Sequence, residues 1–256
     1  MTLWEHLMTH NLTDLSWLAF RDRVPSQTDL VIVPVGTIEA HGGSPLGTDN
    51  IIPGAMAQEL APRLGALVAP PVPYGVTNSL LPYPGSTTVS SATFEAYLLE
   101  AATGLVRAGF RRVVLLNGHG GQTSEVNRVV NRLWDATEAF TVAVEWWGLA
   151  EQISYDVYGD VTSGHAGIEE TAMVLAVKPE LIDKERATTA RRAPRRAGVK
   201  ARPFPASIIL NHEEKTEGDG APILDADKAA AFYGRTVDAV EAALQEVFAG
   251  WEDLRR

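Results

Sequence analysis

The chain has 256 residues, of which 45% are hydrophobic and 21% charged, so it can bury a sizeable globular core. Its formal net charge of −10 argues against a general nucleic-acid binder or a protein that binds anionic membranes. The absence of cysteine excludes disulfide bonds, thiolate nucleophiles and zinc sites built on cysteine. The sequence shows neither a secretory signal nor a long apolar span, so a cytoplasmic protein is expected.

Strand-like and helix-like segments alternate along the chain, without an internal repeat or a clear linker. The predicted strands are 30–36, 66–70, 113–116 and 140–145. The predicted helices are 52–64, 92–108, 123–137, 168–177 and about 225–248. Short apolar strands separated by helices of this length are typical of βαβ units, which predict a mostly parallel sheet with helices on both faces. We expect a single α/β domain over residues 1–256.

Two segments fall outside this alternation. Pro70–Thr88 is rich in proline and glycine and is too long for a simple connection, which indicates a functional loop. Lys184–Arg202 is dense in arginine within an acidic chain. We interpret it as a solvated loop, with a subunit contact or an anion-attracting lip on a pocket as alternatives.

Glu39 and His41 follow the apolar run Leu30–Gly36, which is typical of a strand buried on both faces. Side chains at positions i and i+2 of an extended backbone point to the same side. This carboxylate and this imidazole are therefore expected together at the end of the strand. The pair can hold a metal ion, or the two side chains can pair with each other.

Two further histidines lie in similar surroundings. His119 lies in Asn117-Gly118-His119-Gly120-Gly121, directly after the strand 113–116, and His165 lies in Gly164-His165-Ala166-Gly167, before the helix 168–177. In open parallel sheets, ligands bind at the carboxyl ends of the strands, where such loops converge. Three histidines in glycine-containing loops therefore favour one functional cluster over separate structural roles.

Carboxylates complete the set. Asp49 either caps the helix that contains Pro53 or folds back onto Glu39 and His41 as a bridging ligand. Glu170 lies at a helix start, where the helix dipole stabilises its charge, and it can also reach the same centre. Histidine and carboxylate ligands suit Zn²⁺, Mn²⁺ or Fe²⁺, and two such ions about 3.5–4 Å apart would use the whole set.

Three motifs resemble signatures of the creatininase (creatinine amidohydrolase) family. Glu39-Ala40-His41-Gly42 with Gly47-Thr48-Asp49 resembles the first signature, Asn117–Gly121 the second, and His165–Thr171 the third. The resemblance implies a three-layer α/β/α sandwich and two divalent metal ions per subunit, with Zn, Mn and Fe as the candidates. It also implies a small-molecule substrate and a homo-oligomeric ring, often a hexamer, while the net charge of −10 leaves neither nucleic acid nor membrane as an expected partner.

The resemblance also implies a role for each motif residue. It gives Glu39, His41, Asp49 and His119 as metal ligands, with Asp49 bridging the two ions. Glu170 matches a glutamate that can complete the shell of the second ion. His165 matches a histidine that transfers a proton to the leaving nitrogen. His165 and Glu170 are therefore the expected catalytic residues.

Two positions differ from creatininase itself. The first signature continues as His41-Gly42-Gly43-Ser44-Pro45, without the second histidine of many relatives and one residue shorter, and Gly121 stands where creatininase has a glutamate. Both changes lie near the substrate side. We therefore expect hydrolysis of a C–N bond in a small amide or cyclic amide, with a metal-bound hydroxide as nucleophile, rather than of creatinine in particular.

Two other functions remain open at this point. One is hydrolysis or isomerisation of an oxidised sugar or cyclitol at the same two-metal site. The other is a metal-binding relative without catalysis. Tyr74, Trp146 and Trp147 are candidate pocket walls, although packing in the core or at an interface explains the tryptophans equally well.

Overall fold

A computed structural model of the protein describes residues 9–160, 164–186, 189–192, 208–211 and 223–254. The strands are β1 (Leu30–Val35), β2 (Leu67–Val68), β3 (Arg112–Asn117), β4 (Phe140–Glu145), β5 (Thr189–Arg192) and β6 (Ile208–Asn211). The α-helices are α1 (Trp17–Arg23), α2 (Thr48–Leu64), α3 (Ser91–Arg107), α4 (Thr123–Thr137), α5 (Trp146–Tyr158), α6 (Ile168–Val177) and α7 (Ala226–Leu254). Short 3₁₀ turns lie at Leu12–Asp14, Gly120–Gln122 and Pro179–Leu181.

Strands β1 to β4 form one parallel sheet in the order β2-β1-β3-β4. Val35 is in register with Asn117, and Asn117 is in register with Glu145. The carboxyl ends of the three longer strands therefore lie level with one another. The loops that follow β1 and β3 leave the sheet side by side, which is where ligand sites form in open α/β sheets.

Two hydrophobic cores cover the two faces of this sheet. Alternate strand residues pack toward α2, α5, α6 and α7 on one face: Leu30, Ile32, Val114, Leu116 and Val144. The intervening residues pack toward α3 and α4 on the other: Val31, Val33, Val35, Val113 and Leu115. Burial on both faces explains why these strands are apolar throughout instead of alternating with polar residues. The predicted α/β/α sandwich with a parallel sheet is confirmed.

Several elements differ from the predictions. Helix α2 begins at Thr48 instead of residue 52, so Asp49 lies within its first turn rather than in a turn that precedes it. Pro53 lies inside this helix, where it cannot donate the helical hydrogen bond to the Asp49 carbonyl. The strand predicted at 66–70 is only Leu67–Val68, and α5 was not predicted.

Strands β5 and β6 form a separate antiparallel pair. Leu210 of β6 packs with Ala40, Leu80 and Ala166, so this pair is anchored close to the loops after β1 and before α6. Most of the arginine-rich segment Lys184–Arg202 lies outside the described residues, and its interpretation stays a prediction. None of the helices in the described part of the chain has the length and apolarity needed to cross a bilayer.

Candidate metal centre

The structure brings all six predicted site residues together beyond the carboxyl ends of β1 and β3. Glu39 and His41 lie in the loop after β1, and His119 lies two residues after β3. Asp49 and Glu170 lie in the first turns of α2 and α6, and His165 precedes α6. The cluster is therefore built from three loops and two helix starts that are distant in sequence.

Asp49 lies between two of the histidines. Its Oδ1 atom is 3.0 Å from Nε2 of His41, and its Oδ2 atom is 3.0 Å from Nδ1 of His119. The carboxylate is only 1% exposed. One carboxylate thus faces a ring nitrogen with each of its oxygens, which is the arrangement that a bridging ligand requires.

Glu39 and Glu170 approach different histidines of the same cluster. Oε1 of Glu39 is 3.3 Å from Nδ1 of His119 and 3.4 Å from Nδ1 of His165. Oε2 of Glu170 is 3.6 Å from Nε2 of His41 and accepts a 2.6 Å hydrogen bond from the Ala166 amide. The three carboxylates therefore converge on one small volume.

Backbone carbonyls fix the orientation of each imidazole. Nδ1 of His41 is 2.9 Å from the Glu39 carbonyl oxygen, and Nε2 of His165 is 2.7 Å from the Ala40 carbonyl oxygen. Nε2 of His119 is 3.2 Å from the Val76 carbonyl oxygen. A carbonyl can only accept, so these nitrogens carry the proton, and in the neutral rings the opposite nitrogen presents its lone pair to the carboxylates.

These donors fit divalent metal ions. Ligand atoms within 4.8 Å of one another form three sets: Glu39, His41 and His165; Glu39, Asp49 and His119; and His41, Asp49 and Glu170. Among the described residues, both carboxylate oxygens of Glu39, Oδ2 of Asp49 and Nε2 of His41 are buried without a hydrogen-bond partner. The distances of 3.0–3.4 Å between these carboxylate oxygens and the histidine nitrogens are therefore short contacts without hydrogen-bond geometry. Buried polar atoms normally find partners, so their convergence indicates a bound cation.

The carboxylates control the protonation of two of the histidines. Burial would lower the pKa of His41, but Asp49, with Glu170 and Glu39, raises it to about 10. Burial also opposes protonation of His119, yet Asp49 and Glu39 raise the pKa of that ring to about 9. The two rings in turn outweigh burial at Asp49 and hold the pKa of its carboxyl well below the usual range. In the metal-free protein, two imidazolium ions therefore balance the carboxylates.

His165 and Glu170 are shifted toward their neutral forms. Burial and the charge of His41 lower the pKa of His165 to about 4, so this ring is neutral at pH 7. Burial and the charge of Asp49 raise the pKa of Glu170 to about 7. A neutral imidazole whose free nitrogen faces the cluster is suited to accept a proton.

The candidate pocket walls separate into two groups. Trp146 is 1% exposed and packs in the core beside α2, α6 and α7, as the packing alternative predicted. Trp147 is partly buried, and its Cζ2 atom lies within 4 Å of where a side chain at Gly120 would begin. Trp147 is therefore next to the His119 loop. Tyr74 is 58% exposed on the loop Pro70–Thr88.

Sequence reasoning assigned no role to Asn117 or Gln122, which are both fully buried beside His119. Asn117 accepts a hydrogen bond from the His119 amide and donates one to the His119 carbonyl. Gln122 donates to Oδ1 of Asn117 and accepts from the amide of Val76. Asn117 could have been found from a local signal, because it is a polar residue at the end of an apolar strand. The contact of Gln122 with Val76 spans 46 residues, and no local sequence pattern indicates it.

The fold and this cluster define an α/β/α sandwich protein with a candidate centre for divalent metal ions. A family model for creatininase, described as creatinine amidohydrolase, matches residues 13–244. The chain therefore belongs to the creatininase family. It also superimposes on a crystal structure of creatinine amidohydrolase (creatininase), with a TM-score of 0.80 and 23% identity over 93% of this chain and 98% of that one. A manganese form of creatininase gives a TM-score of 0.78 at 22% identity, over 93% of this chain and 98% of that one.

Curated relatives with different reactions are similar to this chain. The creatinine amidohydrolase of Pseudomonas putida is 27% identical over 191 residues, which is 68% of this chain and 74% of that protein. The 3-dehydro-scyllo-inosose hydrolase of Thermotoga maritima is 31% identical over 177 residues, 64% of this chain and 55% of that protein. The mycofactocin precursor peptide peptidase of Mycolicibacterium smegmatis is 31% identical over 163 residues, 60% of each chain. The matched stretches thus span little more than half of the latter two proteins.

Proposed function

We propose that this protein hydrolyses a C–N bond of a small amide or cyclic amide at a centre of two divalent metal ions. The position of Asp49, with one oxygen 3.0 Å from His41 and the other 3.0 Å from His119, carries the proposal. Glu39 and His119 would hold one ion, and His41 and Glu170 the other, with Asp49 shared. When bound, such ions polarise a carbonyl and lower the pKa of water toward neutrality.

His165 supplies the proton transfer in this proposal. Its Nε2 atom is held by the Ala40 carbonyl, so only Nδ1 is free to exchange a proton on the side of the cluster. Because the ring is neutral at pH 7, it can accept at Nδ1 the proton that the attacking water loses as its oxygen bonds to the carbonyl carbon. It would then return that proton to the leaving nitrogen as the C–N bond breaks. The His41 ring packs against it, tilted by 42° at a centroid distance of 4.3 Å, and restricts its rotation.

A second candidate substrate is an oxidised cyclitol. The 31% identity to the 3-dehydro-scyllo-inosose hydrolase favours it, because that relative is as similar to this chain as any amide-cleaving relative given above. The same residues would serve both reactions, since each needs a polarised carbonyl and a proton acceptor. The difference would lie in the pocket walls rather than in the ligands.

A substrate panel tests the proposal. The metal-loaded protein is assayed against lactams, formamides, short peptides and cyclitol ketones, with chelator-stripped protein and His165→Ala as negative controls. Hydrolysis of lactams or formamides that both controls abolish supports the amidohydrolase. Turnover of cyclitol ketones alone would favour the second candidate, and a metal-loaded protein inactive on the whole panel would point to a metal-binding relative without catalysis.

A further inference from the structure

Gln122 connects three segments that surround the His119 ring. It lies at the end of the 3₁₀ turn that precedes α4 and is fully buried. Its Nε2 atom donates to Oδ1 of Asn117 at 3.1 Å and to the Gly36 carbonyl at 3.4 Å. Its Oε1 atom accepts from the Val76 amide at 3.2 Å. One amide group therefore joins the ends of β1 and β3 to the loop Pro70–Thr88.

Val76 passes this constraint on to the histidine. Its amide is held by Gln122, and its carbonyl oxygen lies 3.2 Å from Nε2 of His119. That carbonyl requires a proton on Nε2, so when the ring is neutral its Nδ1 lone pair is directed at Glu39 and Asp49. Second partners of this kind set the tautomer and direction of metal-binding histidines.

The same glutamine also supports the backbone of His119. Oδ1 of Asn117 accepts hydrogen bonds from both Gln122 and the His119 amide, while Nδ2 of Asn117 donates to the His119 carbonyl. A Cβ atom on Gly75 would lie 1.8 Å from Oε1 of Gln122, so the glutamine amide is tightly enclosed. Both the backbone and the ring of His119 are thus oriented through one buried amide.

We infer that Gln122 is a positioning residue: through Val76 and Asn117 it holds His119 with its proton on Nε2 and its Nδ1 lone pair free for metal. An amide meets this requirement because it donates on one side and accepts on the other. A glutamate in its place would direct acceptor oxygens at Asn117 Oδ1 and the Gly36 carbonyl, which are themselves acceptors. The inference rests on the proposed metal centre, and it makes a separate claim about the tautomer of one ring.

Two substitutions remove the amide while keeping the length of the side chain. Gln122→Glu keeps the shape but replaces the donor, and Gln122→Met removes both hydrogen-bonding functions. We expect each to weaken metal binding at one of two sites by roughly 10- to 100-fold, the range found for residues that orient metal ligands. Chelator competition with Zn²⁺ or Mn²⁺ measures this affinity without any assay of activity.

Thr77→Val is the matched control. Thr77 is fully buried, and its hydroxyl forms a 3.0 Å hydrogen bond with Thr37, so its side chain ties the same loop to the end of β1 through a partner other than His119. This variant is expected to lower the unfolding temperature while leaving metal affinity unchanged. Equal loss of affinity in Thr77→Val and the Gln122 variants would show that Gln122 only holds the loops together, and wild-type affinity in the Gln122 variants would overturn the inference.

The tautomer itself can be read in the unmodified chain. Imidazole ¹⁵N chemical shifts of metal-free protein at alkaline pH, where the ring is neutral, are expected to show His119 protonated on Nε2. A proton on Nδ1 would contradict the inference even if no Gln122 variant folds. If the wild-type chain shows the expected tautomer but binds no metal, the proposed function fails while the positioning of His119 stands.

Discussion

The amide of Ala166 donates a 2.6 Å hydrogen bond to Oε2 of Glu170, the oxygen that also lies 3.6 Å from Nε2 of His41. Ala166 adopts a left-handed backbone with φ of 54°, which is uncommon outside glycine. The loop before α6 thus holds the carboxylate of Glu170 in place over the cluster. This contact supports the proposal that Glu170 is a ligand of a second metal ion.

Glu170→Gln is expected to remove one metal ion and to leave the other bound. Glu170 belongs to the ligand set that it forms with His41 and Asp49. It does not belong to the set of Glu39, Asp49 and His119. Metal content after gel filtration should therefore fall from two ions per chain to about one. Glu180→Gln, at an exposed position, is the control, and loss of both ions or retention of both would argue against the assignment.

His165→Ala is expected to abolish most activity without changing the metal content. Proton transfer by a positioned side chain typically contributes about 10²- to 10⁴-fold in rate, so kcat should fall within that range. Nδ1 of His165 also lies in a possible ligand set with Glu39 and His41. Metal analysis of the variant decides between the two roles, because loss of an ion would make His165 a ligand instead of a proton carrier.

Gly121→Ala should disturb the metal centre through simple crowding. A Cβ atom at this position would lie 2.3 Å from Nε2 and 2.8 Å from Cε1 of His119, so the ring must move. We expect at least about a 10-fold loss of metal affinity, by analogy with other changes to the surroundings of metal ligands. Gly104→Ala is the matched control, because nothing lies within 4 Å of its Cβ position in α3. That control should be slightly more stable than wild type, by about 0.5–1 kcal/mol.

Metal binding at pH 7.5 is expected to release about two protons per chain, one each from His41 and His119. Their pKa values of about 10 and 9 in the metal-free protein mean that both rings are protonated at this pH. Apparent affinity should therefore rise as the pH increases toward 9. Calorimetric titration in buffers of different ionisation enthalpy counts the protons. A titration without any buffer dependence would contradict the protonation states described here.

Much of the fold could be predicted because buried strands and amphipathic helices carry local signals. The strand 140–145 and the helix 168–177 were predicted with the bounds that the structure shows. Helix α5 was missed because Trp146 follows Glu145 of β4 directly, without a turn residue between the strand and the helix. The extent of the single domain and the homo-oligomeric ring stay predictions.

The candidate site could also be predicted only in part. The motif residues Glu39, His41 and His119 could be chosen from their types and spacing, and the structure places them together. The orientation of the histidine rings could not be predicted, because it depends on carbonyls of residues such as Val76, which lies 43 positions from His119. Contacts of that range arise from the way loops meet across the sheet, and no local pattern predicts them.

The proposed two-metal centre bridged by Asp49 is tested by measuring the metal content of the wild-type protein and of Asp49→Ala. Among the described residues, Asp49 is the one that faces His41 and His119 with separate oxygens, so its loss should disrupt both halves of the centre. Asp135→Ala, an exposed acidic position on α4, is the control. We expect about two divalent ions per chain in wild type and in the control, and Asp49→Ala to lose both ions or bind them much more weakly. An Asp49→Ala protein that keeps two ions at wild-type affinity would contradict this expectation.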